Sequence, residues 1–283
     1  MEKLYGKDLA LKANRARLLA VEAVHRAASG HPGGSLSCLD ALTALYFNEM
    51  RVDPANPQWA ERDRFVLSKG HCAPALYAVL ALRGFFPVED LQMLRSIKSH
   101  LSGHPDMKYV PGVDMSTGSL GQGLSTAVGM ALAAKHTGKT FRTYAICGDG
   151  EIEEGQIWEA AMFAAHYKLD NLCAIVDLNG LQIDGPTAVV MNSAPVDEKF
   201  KAFGFEVITV NGGDFDDLEK AFDFFHKNIG SGKPTAILMK TLKGQGVSYM
   251  EGQVGWHGKA PNDAEYEQGM NELEAARKAI EEV

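Results

Sequence analysis

Apolar positions along the chain fall into two periods that alternate. Consecutive apolar runs predict buried strands at 63–68, 144–147, 172–178, 205–210 and 234–241. Between them, apolar residues recur every three or four positions. That spacing predicts helices at 9–28, 39–47, 73–83, 88–99, 124–135, 154–167, 216–227 and 263–282. Gly30 reads as the C-cap of the first helix, and Ser37 with Asp40 as a capping box for the second. Residues 189–201 read as irregular, then as a short helix. Such alternation predicts an α/β fold, a mostly parallel sheet flanked by helices on both faces, in one domain over 1–283.

The organising unit runs from 144 to 184. Its first strand stops at Gly148-Asp149-Gly150, a helix follows, and its second strand ends at Asn179. In a parallel sheet both strand ends reach the same edge, where ligands bind. An acid and an amide distant in sequence can therefore meet. A hard cation such as Mg²⁺ takes oxygen ligands, usually one or two from protein plus ligand phosphates. Asp149 supplies charge, Asn179 a neutral oxygen, and a carbonyl just beyond Asn179 a third ligand. Gly148 and Gly150 let the main chain approach a diphosphate, and the helix adds free N–H groups. Alone, the GDG triplet is also a common turn, and Glu151, Glu153 and Glu154 suit any helix N-terminus. The full combination raises the diphosphate reading above the turn.

Histidines recur on glycine-containing loops: His31 in SGHPGGS, His71 in SKGH, His104 in SGHPD and His257 in WHG. Each alone reads as a loop or capping residue. Together they suit proton movement near neutral pH. Residues 100–123 form a long stretch without predicted structure, which inside a compact chain is usually functional. Its glycine-rich end lacks the dinucleotide-binding spacing and follows no strand, so that reading is rejected. The last strand leads to Lys243 in KGQG. His25, His136, His166 and His226 fall in predicted helices and receive no role. His100 is left unassigned.

Composition narrows the classes. The chain has 283 residues, 46% of them hydrophobic, ample for a large core. A net charge of -8 offers no basic track for nucleic acid. Cys38, Cys72, Cys147 and Cys173 form no CxxC pair and lie in apolar runs, as in a reduced protein. The N-terminal stretch lacks a signal peptide's apolar core, and no apolar run reaches membrane-spanning length. A cytoplasmic location is expected, with neither nucleic acid nor membrane as partner.

SGHPGGSLS, SKGH, SGHPD, TGSLGQG, GDGEIEEGQIWEA, DLNGLQIDG and KTLKGQG followed by WHGKAP occur in that order. The series resembles the amino-terminal half of transketolases, over essentially the whole chain. The resemblance implies the diphosphate-type domain of the thiamine diphosphate-binding fold. Asp149, Asn179 and the Leu181 carbonyl would hold Mg²⁺, or Ca²⁺ or Mn²⁺. His71, Gly148, Gly150, Ile183 and Lys243 would surround the diphosphate of thiamine diphosphate. Gly118 and Leu120 would approach its aminopyrimidine. His31, His71, His104 and His257 would line the substrate channel as the catalytic set, with His31 and His257 candidates for taking the donor hydroxyl proton. Glu154 resembles an acid that faces the partner where two subunits meet. The family's loop varies after Asn179, and Gln182 leaves the backbone contacts there open.

The activity so implied is transfer of a two-carbon ketol unit from a ketose phosphate to an aldose phosphate, as in the pentose phosphate pathway. Alternatives are deoxyxylulose-phosphate synthesis, 2-oxoacid dehydrogenation, or a non-catalytic cofactor-binding module. Transketolases are much longer than this chain. The resemblance is thus to the amino-terminal subunit of a split enzyme. A C-terminal subunit would carry the pyrimidine domain and its glutamate, two copies of each chain would assemble (α2β2), and this chain alone would turn over little.

Overall fold

Five parallel strands form the sheet. The structure is a computed structural model that describes residues 3–282. The first two residues and the last of the expected domain lie outside the described residues. The strands β1 (Arg64–Leu67), β2 (Thr143–Gly148), β3 (Leu172–Leu178), β6 (Glu206–Asn211) and β7 (Thr235–Lys240) lie in the order β1-β2-β3-β7-β6. A small antiparallel hairpin, β4 (Leu181–Gln182) with β5 (Gly185–Pro186), projects beyond β3.

Period-two alternation sorts the strand side chains onto two faces. Phe65, Leu67, Tyr144, Ile146, Cys173, Ile175, Ile237 and Met239 point to one core. That core is closed by α1 (Gly6–Arg26), α3 (Leu39–Ala44), α4 (Ala73–Arg83) and α9 (Phe215–Asn228). Val66, Ala145, Cys147, Ala174, Val176, Ala236 and Leu238 point to the other, under α5 (Gln122–His136), α6 (Gly155–His166) and α8 (Val196–Ala202). Burial on both faces explains why the strands read as unbroken apolar runs. A third cluster joins α1 to α10 (Asp263–Glu282) through Leu18, Leu273, Met250 and Trp256. It fixes the loop that carries His257.

Strand boundaries match the sequence reading within a residue or two, but three local expectations fail. The expected helix over 88–99 is one 3₁₀ segment, Val88–Met93. Arg95 then turns left-handed (φ 61°) so that its guanidinium can reach Ser29 and Gly103. Gly30 is not the cap of α1, which ends at Arg26 with Ala27 as cap. The residue is needed there because a Cβ would meet Val24 at 2.8 Å. Ser37 and Asp40 form no capping box. Ser37 closes the short α2 (Pro32–Ser37), where its hydroxyl donates to Asp177 at 2.6 Å, and Asp40 pairs with Arg17 at 2.6 Å. Tertiary partners outcompete the local cap in both cases. The four-residue α7 (Thr187–Val190) and the hairpin carried no sequence signal.

The carboxyl edge is tied by a buried ion pair. Asp177, fully buried in β3, accepts from Lys69 beyond β1, Ser37 on α2 and Thr241 beyond β7. Lys69 also donates to the Gly34 carbonyl at 2.9 Å. Burial opposes the lysine's charge, but Asp177 outweighs it and holds the ammonium protonated. Breaking such a pair from one side strands a buried charge and costs about 3–5 kcal/mol. Lys69→Met is expected to lower the stability read from the urea midpoint by that amount, and Lys69→Met with Asp177→Leu to recover much of it. A double variant no more stable than the single would sink this account.

Candidate functional site

A cavity of about 350 Å³ opens at the carboxyl ends of the strands. Every site residue expected from the sequence lines it except His31 and His104. Those two join it through ring contacts. His31 lies 5.3 Å from His71, 5.5 Å from His257 and 6.3 Å from His104 between ring centroids. His71 and His257 stack at 5.1 Å. Among the predicted helical histidines, His25 stacks on Tyr266 and His226 bonds Glu49. His100 contacts Phe86 rather than the cluster.

Asp149 and Asn179 meet as the β-α-β geometry requires. The Asp149 main-chain N–H donates to the Asp177 carbonyl at 3.2 Å, and the Gly180 N–H donates to Asp149 Oδ2 at 2.5 Å. Burial, then the nearby Asp177 charge, push the Asp149 carboxyl up to about 7. Among the described residues no side-chain cation neutralises it by contact. The Asn179 amide oxygen accepts from the Leu181 N–H at 3.1 Å, and the Leu181 carbonyl accepts from Lys243 at 3.2 Å. This donor set, one under-compensated carboxylate, an amide oxygen and a main-chain carbonyl, fits a hard divalent cation. Among the described residues no three His, Cys, Asp or Glu side chains converge on a metal-sized point. An ion here would therefore take further oxygens from a ligand, as Mg²⁺ does with a diphosphate. Gln182 turns its amide to Glu153 at 2.9 Å, and its Cβ packs against Gly150, where a side chain would collide at 2.8 Å.

His31, His104 and His257 are held neutral. Burial, His71 and the Arg95 guanidinium lower His31 to about 4. Burial and the Lys243 ammonium lower His257 to about 3. Burial and Arg95 also lower His104. Lys243 donates to His257 Nδ1 at 3.0 Å, which leaves Nε2 as that ring's N–H. His257 therefore presents Nε2 as a donor. His31 Nδ1 is buried with no hydrogen-bond partner. Gly118 (φ 144°) lies against the His104 ring, where a Cβ would come within 3.0 Å.

Four residues that organise this edge were not singled out from sequence. Lys69 and Asp177 tie the strand ends. Glu151 accepts from Ser68 at 2.5 Å, from the Gly121 N–H at 3.0 Å and from the Gly148 N–H at 3.0 Å, joining three loops. Arg95 bridges the His31 and His104 loops. Lys69, Asp177 and Glu151 all fall inside the quoted motifs, which was their only signal. Arg95 carries none, because the apolar period around it predicts a helix that does not form.

A parallel sheet that gathers oxygen donors and imidazoles around a cavity at its carboxyl edge has the architecture of a ligand-binding α/β protein. The family described as transketolase, thiamine diphosphate binding domain, matches residues 9–278. The chain is 46% identical over 267 residues to the 6-deoxy-6-sulfo-D-fructose transketolase subunit SqwG of a Clostridium species, covering 94% of this chain and 96% of that one. It is 47% identical over 269 residues to an apulose-4-phosphate transketolase subunit of Phocaeicola vulgatus, covering 94% and 93%. The crystal structure of Campylobacter jejuni transketolase superposes with a TM-score of 0.89 at 33% identity, covering 98% of this chain and 46% of that one. The chain belongs to the transketolase family, as its thiamine diphosphate-binding domain.

The raised carboxyl gives a pH signature. The folded value of Asp149, about 7, lies above the ordinary 3.8. Ionising it therefore costs the metal-free fold stability as pH rises from about 4 to about 7, by at most about 4 kcal/mol. In chelator, Asp149→Asn is expected to gain stability over the native chain, and the gain in urea midpoint to grow from pH 5 to pH 8. A gain that shrinks as pH rises would contradict the assignment.

Proposed function

We propose that this chain is the diphosphate-binding subunit of a thiamine diphosphate-dependent transketolase, which moves a two-carbon ketol unit from a ketose to an aldose. The observation that carries this reading is the pairing, at one sheet edge, of a buried under-compensated acid with four clustered histidines. Asp149, Asn179 and the Leu181 carbonyl would hold the divalent cation. His71, Gly148, Gly150, Ile183 and Lys243 would surround the diphosphate, and Gly118 and Leu120 would face the aminopyrimidine. Thiamine diphosphate, when bound, supplies the carbon that cleaves and re-forms the C–C bond.

The chain's own residues would bind, orient and move protons. His31, a neutral ring at the centre of the histidine cluster, would take the donor hydroxyl proton. His257, with Nδ1 engaged by Lys243, would donate to a substrate oxygen. His71 and His104 would complete the channel. A neutral imidazole is what proton abstraction from a sugar hydroxyl needs.

A partner chain fits the surface. Glu154 stands exposed at the cavity mouth beside Leu120, 39% exposed, and Ile183, 62% exposed. Val189 and Met191 follow, 80% and 60% exposed. Exposed apolar side chains at and near a cavity mouth suit an interaction surface. Relatives matched along nearly their whole length are each named as one subunit of an enzyme, which favours a second polypeptide that completes the site.

His31→Ala is expected to lower kcat/KM of the assembled enzyme by about 10²–10⁴-fold and to leave thiamine diphosphate affinity nearly unchanged by calorimetry. The split reading is tested by giving the pure chain thiamine diphosphate, Mg²⁺ and a ketose phosphate. Rapid turnover without a second chain overturns it, and turnover of a 2-oxoacid in preference to a ketose overturns the sugar reading.

A further inference from the structure

Cys38 and Cys72 take no part in the chemistry described above, yet they lie together directly beneath its floor. Cys38 sits at the junction of α2 and α3, and Cys72 caps the N-terminus of α4. Gly34 lies between them and the cavity that it lines. Cys38 Sγ is 3.4 Å from the Gly34 carbonyl oxygen. A Cβ on Gly34 would sit 2.9 Å from Cys72 Sγ and 3.4 Å from His71 Nε2. The two thiols are within hydrogen-bonding reach of each other, and Cys72 is also bonded by the His71 side chain. All four cysteines are free and buried. The other two differ: Cys147 and Cys173 point to opposite faces of the sheet and belong to separate cores.

The electrostatics divide the pair into a nucleophile and a proton holder. Burial opposes ionisation of Cys72, but the Cys38 hydrogen bond, His71 and Lys69 outweigh it and bring its thiol well below the usual range. The shared hydrogen bond and burial push Cys38 up. Low-pKa thiols beside cations and at helix starts are the reactive ones where an oxidant can reach them, and Cys72, itself buried, lies against Gly34, which lines the open cavity. Cys147 is raised by burial and Cys173 likewise, as inert core thiols are.

We propose that Cys38 and Cys72 are a redox dithiol under the cavity floor, closed to a disulfide by hydrogen peroxide. The Cys72 sulfur attacks one peroxide oxygen and the O–O bond breaks. One water leaves, and Cys72 becomes a sulfenic acid. The Cys38 sulfur then attacks Cys72, the S–S bond forms and the S–O bond breaks. The departing hydroxide leaves as water with the Cys38 proton. Two electrons pass from the thiols to the peroxide, which is reduced to two waters. Closure removes the thiol that His71 bonds and draws Cys38 from the Gly34 carbonyl, which Lys69 also holds. The expected consequence, resting on the cofactor reading above, is weaker thiamine diphosphate binding in the oxidised chain.

The test treats the full chain with hydrogen peroxide under native conditions, quenches in acid and maps thiols by mass spectrometry after peptic digestion. A single Cys38–Cys72 cross-linked peptide is expected, with the thiol titre of the denatured chain falling from four to two and returning with dithiothreitol. In Cys38→Ser, Cys72 is expected to be captured by dimedone as the sulfenic acid. In Cys72→Ser, no cross-link at Cys38 is expected. Retention of all four thiols, or cross-links spread over Cys147 and Cys173, overturns the proposal. Thiamine diphosphate with Mg²⁺ is expected to slow closure. Closure at an unchanged rate would count against the cofactor reading while the mapped disulfide still supports the dithiol.

Discussion

The Asp177 carboxylate is the constraint on which the rest of this edge depends. It is fully buried at the end of the central strand and takes its bonds from groups beyond β1, beyond β7 and on α2. A carboxylate so placed needs a cation, and Lys69 supplies it from the loop after β1. The pair sets where that loop, the α2 turn and the β7 loop sit. Those same segments carry His71, His31 and Lys243. Positions that look independent along the chain are therefore fixed by one charge pair.

That arrangement has an electrostatic consequence next door. Lys69 answers Asp177 directly, but Asp149 feels the Asp177 charge without a contacting cation of its own among the described residues. Its carboxyl is raised, and an arriving divalent ion would relieve both burial and repulsion. The site thus favours the cation that the proposed function assigns to it. The imidazoles show the complementary effect. Burial, with Arg95 and Lys243 beside them, keeps His31, His104 and His257 neutral, so these rings offer acceptors and donors rather than fixed charge.

Support from outside the sheet matters equally. Glu151 joins the loops after β1, before α5 and after β2 with three hydrogen bonds to a single side chain. The Trp256 loop is held by the small apolar cluster between α1 and α10, which places His257 over the cavity although it lies far in sequence from the other histidines. Packing at one end of the molecule thus positions a polar group at the other end of a loop.

The strands, the two-faced burial and the carboxyl-edge location of Asp149 and Asn179 followed from the sequence alone. Apolar period and strand polarity are local properties, and a parallel β-α-β unit leaves little freedom in where its strand ends point. The histidine loops could be recognised as a set, but not their mutual distances or their protonation. The failed helix at 88–99 and the failed cap at Ser37 share one cause. In each, a local preference lost to a distant partner, Ser29 and Gly103 for Arg95 and Asp177 for Ser37. Which buried charges face one another, which ring nitrogen stays free and which thiols touch were settled only in three dimensions, because long-range electrostatics and packing leave no period in the chain.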